Sequence, residues 1–316
     1  ADGHDLTLVD QSERRLSELA NTFDVATVTG NGTSYHVLKE AGVKETDLLI
    51  AVTTHDEINL LACLIASKAS GCHTIARVRD PQYVSEVGFI RDELGLSMVI
   101  NPEMSTARVV SRLIRFPSAI GVGTFAKGRI ELLDIRIPEK SRLNGMAVCE
   151  VNPLLHTDVL LCMVRRGGQT YIPKGDFILL AGDDITVIIP PREQVEFFQK
   201  IGVPNDRIGS VMIIGGGNVS YFLAKMLVAS GIAVKIIESS LERCELLSDL
   251  LPEATIIHGD GTDRDLLEEE GLSSCEAFVA LTGMDEENIL LSLHAGQHSR
   301  AKLFTKVNRV NFEEVI

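Results

Sequence analysis

Tryptophan is absent from the chain, and aromatic residues make up only 5% of its 316 residues. Stacking surfaces for single-stranded nucleic acid are therefore not expected. Positive charge is also scarce, because 30 lysines and arginines stand against 44 aspartates and glutamates, which gives a net charge of −14. Nucleic-acid-binding domains usually carry a basic stripe, so the composition argues against nucleic acid as a partner.

Long hydrophobic runs and catalytic constellations are missing as well. No stretch of 18 apolar residues occurs, so we expect no membrane-spanning helix. The six cysteines are scattered without a C-x-x-C pattern. Cys63, Cys162 and Cys244 lie in apolar or helical contexts, which is typical of small core residues in a reducing compartment. His294 and His298 share a predicted helix, but no further ligands accompany them, and we predict no metal site. No nucleophile–base or paired-carboxylate arrangement is evident, so no catalytic residue is predicted.

Residues 210–238 have the outline of a dinucleotide-binding βαβ unit. The apolar run at 211–214 predicts a buried strand, three glycines permit a tight turn, and a helical pattern follows. A second strand at 233–237 ends in Glu238, where a carboxylate can accept hydrogen bonds from a ribose. The pattern G-x-G-x-x-G would place glycine at position 220, but Ser220 is small enough to preserve the turn. The alternative is a glycine-rich turn without a ligand.

The two ends of the chain repeat each other. T-G-N-G-T at 29–33 matches H-G-D-G-T at 258–262, and D-E-x-N occurs at both 56–59 and 285–288. Asp10 matches Glu238 at the end of a strand, and Arg77 matches Lys306. The match is too long and has too few copies for a solenoid, so it indicates a duplicated domain.

Strands alternate with helices in each copy, which predicts an α/β fold of duplicated, Rossmann-like, doubly wound parallel sheets. The predicted strands lie near 6–10, 25–29, 48–53, 73–78 and 96–100 in the first copy, and near 210–214, 233–238, 255–258, 277–282 and 302–307 in the second. The first copy begins at its second strand, and the second copy stops where the first continues. We therefore expect the chain to be part of a longer protein, with the missing strand and glycine turn upstream.

The connecting region has two parts. Residues 102–117 predict a crossover helix that begins at Pro102, and its wide apolar stripe could pack on a partner subunit or on its own domain. Short alternating runs then predict a small β-rich α+β domain with one helix near 192–201. The expected divisions are a first nucleotide-binding domain (1–101), the crossover helix (102–117), the small domain (118–205) and a second nucleotide-binding domain (206–316).

Several polar residues follow predicted strands, where doubly wound sheets bind their ligands. An acid such as Asp10 or Glu238 would repel a 2′-phosphate, which favours NAD or ATP over NADP, although a solvated charge is the alternative. Thr54 with Glu57 fits a capping box, so this helix start could be merely capped or could attract phosphate. Arg77 and Lys306 could pair with phosphates or could be ordinary surface charges.

This order of parts resembles the tandem RCK family, in which KTN and TrkA-C domains alternate and which regulates bacterial Trk potassium uptake. The resemblance implies a cytoplasmic subunit, peripheral on the inner face of the membrane, that binds NAD(H), ATP or ADP. It also implies a homo-oligomeric ring, a tetramer of tandem chains, that gates a membrane potassium channel or transporter of the Trk type. The nucleotide contacts carried over by matching positions are Asp10, Thr53, Thr54 and Arg77 in the first copy, and Gly215, Gly216, Gly217, Asn218, Val219, Glu238, Thr282 and Lys306 in the second.

The resemblance implies no chemistry, because nucleotide acts as a ligand in this family. The alternative from another class is an NAD-dependent oxidoreductase. Such an enzyme needs an acid–base residue near the nicotinamide, and the small domain offers a single histidine, His156, with no obvious partner.

Overall fold

The computed structural model describes residues 3–84, 86–125, 130–190, 193–203 and 208–308. It contains two compact units, Ala1–Ser105 and Thr106–Ile316. Within the described residues, every helix is too short or too polar to cross a lipid bilayer.

The first unit alternates strands and helices, as the sequence predicts. Its strands form two parallel sheets, β1–β2 and β3–β4–β5. The elements are β1 Thr7–Asp10, α1 Glu13–Thr22, β2 Ala26–Thr29, α2 Tyr35–Glu40, β3 Leu48–Ala51, α3 Asp56–Ser70, β4 His73–Arg77, α4 Pro81–Val84, α5 Val87–Leu94, β5 Met98–Ile100 and the start of α6, Pro102–Arg115.

The helix α6 continues from the first unit into the second. It begins at Pro102, as predicted, since proline lacks the N–H that a first helical residue would leave unpaired. Ala107, Ser111 and Ile114 are buried within the chain, whereas Val109 on the same helix is 49% exposed. Part of the apolar stripe is therefore packed on the chain itself.

The second unit opens with a five-stranded antiparallel sheet in the order β6-β7-β10-β8-β9. Alternating residues of its strands face a core completed by Phe197 and Phe198. The prediction that this small domain has one helix was wrong, because Val148–Leu155 forms a second helix, α7. Pro153 within it breaks the helical pattern of the sequence. The elements are β6 Gly121–Phe125, β7 Ile130–Arg136, α7 Val148–Leu155, β8 Leu160–Arg166, β9 Gln169–Tyr171, β10 Asp184–Ile188 and α8 Gln194–Lys200.

The rest of the second unit is a parallel five-stranded sheet in the order β13-β12-β11-β14-β15. The strand β14 is buried along its whole length, as its continuous apolar sequence predicts. The elements are β11 Ser210–Ile214, α9 Asn218–Val228, β12 Ala233–Glu238, α10 Leu241–Leu250, β13 Thr255–His258, α11 Arg264–Glu269, β14 Ala277–Ala280, α12 Asp285–His298 and β15 Lys302–Thr305. The architecture confirms the predicted α/β class with duplicated parallel sheets.

The two copies differ at one strand. In the second copy β11 lies between β12 and β14, whereas the described part of the first copy has no strand between the equivalent β1 and β3. Leu48 and Ile50 on β3 are consequently 45% and 54% exposed. Their equivalents Ala277 and Val279 pair with β11 and are fully buried. Among the described residues, the first copy thus forms two sheets where the second forms one.

Candidate functional site

The glycine turn of the second copy follows β11 at the point where strand order reverses, between β11 and β14. Gly215 has φ +94°, and a Cβ there would lie 2.9 Å from the carbonyl oxygen of Leu281. A Cβ on Gly216 would lie 2.7 Å from Cδ1 of Leu247. Position 215 therefore requires glycine, because any other residue would be strained at this φ and would collide with backbone atoms. A side chain at position 216 would have to displace Leu247 or Glu238.

Ser220 occupies the third glycine position of the motif. It is fully buried, and its hydroxyl donates a hydrogen bond to the carbonyl oxygen of Gly215. The serine thus preserves the turn, as its small size predicts, and fixes the first glycine in place.

Glu238 ends β12 directly beside this turn. Its Oε2 accepts a hydrogen bond from the Gly216 N–H at 2.6 Å, and its Oε1 accepts from the Ser240 N–H at 2.8 Å. The Ser239 hydroxyl donates to the same Oε1 at 3.3 Å. Glu238 therefore lies within one hydrogen bond of the glycine turn, close to it as the spacing of the motif predicts.

Arg243 also contacts the turn, although it is not among the contacts predicted from the sequence. Its Nε donates to the Gly216 carbonyl oxygen at 2.6 Å, and its Nη2 donates to Oδ1 of Asn218 at 3.3 Å. The guanidinium therefore fixes the turn and the first residue of α9, and adds positive charge there. A signal was available, because Arg15 and Arg243 each stand five positions after a strand-ending acid.

The start of α9 opens onto the turn. Gly217 is its N-cap and provides no side-chain cap. A Cβ at Gly217 would meet no atom within 4 Å, so there is open space on this side of the turn. The first N–H groups of a helix lack intrahelical partners, and the helix dipole adds partial positive charge. These features suit an anionic group lying over Gly217, Asn218 and Val219.

A buried asparagine braces the other side of the site. Asn288 is fully buried, and its Oδ1 accepts from the Thr282 N–H at 2.8 Å. Its Nδ2 donates to the carbonyl oxygens of Thr282 at 3.3 Å and Lys306 at 3.0 Å. One side chain therefore joins the segments that follow β14 and β15, which fixes the backbone of two candidate contacts.

The first copy repeats this asparagine brace. Asn59 Oδ1 accepts from the Thr53 N–H at 2.7 Å, and its Nδ2 donates to the carbonyl oxygens of Thr53 at 3.2 Å and Arg77 at 2.9 Å. The asparagine of D-E-x-N thus has a structural role that the spacing alone did not reveal.

The aspartate of D-E-x-N makes a second long-range contact. Asp56 Oδ2 accepts from the N–H groups of Arg79 and Asp80, each at 2.7 Å. Asp285 Oδ1 accepts from the N–H and the side-chain amide of Asn308, at 3.0 and 2.7 Å. Both aspartates are buried, so they lock the strand-end loops onto the start of α3 and α12.

The capping-box interpretation of Thr54 and Glu57 was wrong. The N-cap of α3 is His55, which makes no side-chain cap, and the Thr54 hydroxyl instead contacts the His55 ring Nδ1 at 2.9 Å. Glu57 accepts from the hydroxyl of Tyr83 at 2.8 Å. Similarly, the N-cap of α12 is Met284 and not Thr282, which lies two positions before it. Thr54 is exposed, and its carbonyl oxygen accepts from Arg79.

The remaining candidates of the first copy lie at its strand ends. Asp10 ends β1, and its Oδ1 accepts from the Ser12 N–H at 2.7 Å, which repeats the contact of Glu238 with Ser240. Arg77 ends β4, and its Nη2 donates to Oε1 of Glu103 at 2.9 Å. Arg77 is therefore ion-paired within its own unit.

Comparison with known proteins gives consistent matches. Residues 1–102 and 211–316 match the TrkA-N domain, and residues 132–202 match the TrkA-C domain. The Trk system potassium uptake protein TrkA homolog of Archaeoglobus fulgidus is 37% identical over 93% of this chain, and TrkA of Halomonas elongata is 33% identical over 99%. The chain spans 66% and 69% of the length of these two relatives.

Solved structures show the same fold. The GsuK channel aligns with a TM-score of 0.71 at 18% identity, over 96% of this chain and 53% of that one. The GsuK channel bound to NAD gives 0.68 at 19% identity, over 96% and 53% of the two chains. The human SLO3 gating ring gives 0.54 at 10% identity, over 98% and 70%.

Proposed function

The chain belongs to the TrkA family of Trk system potassium uptake proteins, and from that premise we propose that it is part of a nucleotide-binding regulatory subunit. The subunit gates a membrane potassium channel or transporter of the Trk type in response to NAD(H) and ATP or ADP. It is peripheral on the cytoplasmic face of the membrane and works as a homo-oligomeric ring, a tetramer of tandem chains. The names of the relatives and the gating-ring fold of the structural neighbours support this proposal.

The observation that carries nucleotide binding is the 2.6 Å contact between Glu238 and Gly216 at the switch point of the sheet. A pyrophosphate over Gly216 and Gly217 would receive the helix N–H groups of α9. A ribose would then lie within reach of Glu238, whose carboxylate accepts hydroxyl hydrogen bonds and disfavours a 2′-phosphate. Thr282 and Lys306 close the other side of the ligand.

The first copy binds through the corresponding strand ends, with Asp10 toward ribose and Thr53, Thr54 and Arg77 toward phosphates. The chain functions as a first nucleotide-binding domain (1–101), a crossover helix (102–117), a TrkA-C-like domain (118–205) and a second nucleotide-binding domain (206–316). The repeated asparagine brace supports equivalent sites, because it holds the same two strand ends in both copies.

Nucleotide acts here as a ligand and not as a redox substrate. His156, the histidine that an oxidoreductase could have used, is the left-handed C-cap of α7 at φ +48°, and its carbonyl oxygen accepts from Lys200 Nζ at 3.3 Å. Its backbone therefore ends the helix.

The test is potassium flux through the reconstituted membrane partner with the full-length protein. Flux is measured with ATP, ADP, NADH and no nucleotide, after calorimetry has shown each site to be saturated. Moving a two-state ring from mostly closed to mostly open needs about 5.5 kcal/mol of differential binding, which several sites can share. Equal flux in all conditions would refute the gating role, and turnover of NADH with any substrate would favour the oxidoreductase.

A further inference from the structure

Three polar side chains of the first unit meet where β4 and β5 end and α6 begins. Arg77 pairs with Ile100 in the strand register, which brings Asn101 alongside it. Glu103 lies in the first turn of α6, and its Oε1 accepts from Arg77 Nη2 at 2.9 Å. The side chains of Arg77 and Glu103 are only 28% and 18% exposed. The ion pair thus joins a strand end of the nucleotide-binding fold to the crossover helix.

Each of these three side chains has one polar atom without a hydrogen-bond partner among the described residues. Arg77 Nε, Asn101 Nδ2 and Glu103 Oε2 are buried and have no hydrogen-bond partner among the described residues. Such atoms are uncommon, because nearly all buried polar atoms in folded proteins are paired. Asn101 cannot resolve this by rotating its amide, since its Oδ1 already accepts from the Met104 N–H at 2.7 Å.

The three unpaired atoms need different hydrogen-bond partners. Arg77 Nε and Asn101 Nδ2 are donors, so both suit the oxygen of an anion, and a guanidinium fits phosphate oxygens in a bidentate fork. Glu103 Oε2 is an acceptor on a carboxylate, which repels the same anion. The brace from Asn59 to the Arg77 carbonyl fixes the backbone of the arginine, and a phosphate that binds its guanidinium would displace the Glu103 carboxylate.

We propose that Glu103 competes with a nucleotide phosphate for Arg77, so that phosphate binding in the first copy releases the first turn of α6. The proposal rests on the proposed function, because it takes Arg77 as a phosphate contact, and it adds how occupancy reaches the crossover helix. Glu103 is thereby a positioning residue. Its carboxylate holds Arg77 until the terminal phosphate of ADP or ATP takes the guanidinium.

The experiment uses the full-length protein and hydrogen exchange of separate segments, titrated with ADP. Protection of the segment after β3 reports binding to the first copy, and exchange of residues 103–107 reports the first turn of α6. ADP should protect the former and speed exchange of the latter. Glu103→Gln should tighten ADP binding to the first copy about fivefold or more, the lower end of typical coupling between sites. The gain should vanish when Arg77→Gln is also present.

Glu93→Gln is the matched control, because it removes one negative charge from an exposed position on α5 of the same unit. It should leave ADP affinity unchanged. Inorganic phosphate at the same concentration is a second control, and it should not loosen residues 103–107.

The outcomes separate the two proposals. No protection in the first copy at saturating ADP would mean that the proposed nucleotide binding fails there. Protection with unchanged affinity in Glu103→Gln would overturn the competition alone and leave the proposed function intact. The same holds if ADP protects the first copy of the wild-type protein but leaves exchange of residues 103–107 unchanged, since the Arg77–Glu103 pair would then be purely structural. An equal response to inorganic phosphate would overturn the nucleotide assignment.

Discussion

Replacing Asn288 by aspartate tests the asparagine brace with almost no change of shape. The amide of Asn288 makes three hydrogen bonds while fully buried, two of them as a donor. In Asn288→Asp an oxygen would replace Nδ2 and would face the carbonyl oxygens of Thr282 and Lys306, which lie 3.3 and 3.0 Å from that position. Two attractive contacts would become repulsive.

The expected loss of unfolding free energy is about 3–4 kcal/mol at neutral pH. Two lost hydrogen bonds account for about 1 kcal/mol each, and burying the new acceptor against two carbonyls adds about 1–2 kcal/mol. Burial and the carbonyl oxygens disfavour a charged carboxyl, so its pKa in the folded state would lie above its unfolded value. The loss is therefore smallest below the unfolded pKa of about 4, and it grows as pH rises toward the folded pKa.

The assay is urea unfolding at pH 5 and pH 8, with hydrogen exchange in β14 and β15 as the local readout. Gln297→Glu is the control, because it makes the same chemical change at an exposed position of the same helix, α12. We expect a larger loss of unfolding free energy for Asn288→Asp than for the control, and a larger difference between the two at pH 8. Equal stabilities of the two variants at both pH values would refute it.

Three further predictions concern other parts of the chain. Glu238→Ala should weaken nucleotide binding to the second copy by about 1.5–3 kcal/mol, the usual contribution of a hydrogen bond to a charged group, and calorimetry showing unchanged affinity would exclude a ribose role. Burial raises the pKa of the Cys63 thiol to about 12, so iodoacetamide at pH 8 should alkylate exposed Cys149 first and Cys63 only on unfolding, as followed by mass spectrometry. Arg166→Ala should cost about 2–3 kcal/mol at pH 7, since Asp183 is 1% exposed and its guanidinium partner 36%. Because the hydrogen bond from Arg166 holds the pKa of Asp183 below its usual value, that cost should shrink in acid as the carboxyl becomes protonated, and equal destabilisation at pH 7 and pH 3 in thermal melts would contradict the pairing.

The strands β11 and β14 could be predicted because parallel strands that are buried on both faces have continuous apolar sequences. The predicted strand at 210–214 and the observed β11 share the same bounds. Helix α7 could not be found in this way, because it has only 8 residues and contains Pro153. A short helix with a proline gives no clear periodicity, and its packing on the sheet core decides its conformation.

Some contacts of the candidate site could likewise be predicted from the sequence, and others could not. Gly216 and Glu238 are separated by a motif of fixed length, so their approach follows from a strand–turn–helix–strand sequence. The role of Asn59 does not follow, since its contact with Arg77 joins residues 18 positions apart on neighbouring strand ends. Spacing rules for helix starts predict hydrogen bonds between residues that are close in sequence. The short polar side chains here instead bond to strand-end residues that are distant in sequence.

The duplication separates the scaffold from the groups that differ between the two candidate sites. The D-E-x-N motif is identical in both copies, and its Asp and Asn make corresponding contacts in each, so we assign them to the scaffold. The strand-end positions vary, since Asp10 stands where the second copy has Glu238, and Arg77 where it has Lys306. Arginine offers a planar, bidentate fork to phosphate, whereas lysine offers a mobile point charge. A shared scaffold with different ligand-facing groups is what two sites of different nucleotide preference require, so we expect any difference in preference to follow these exchanged residues and not the asparagine brace.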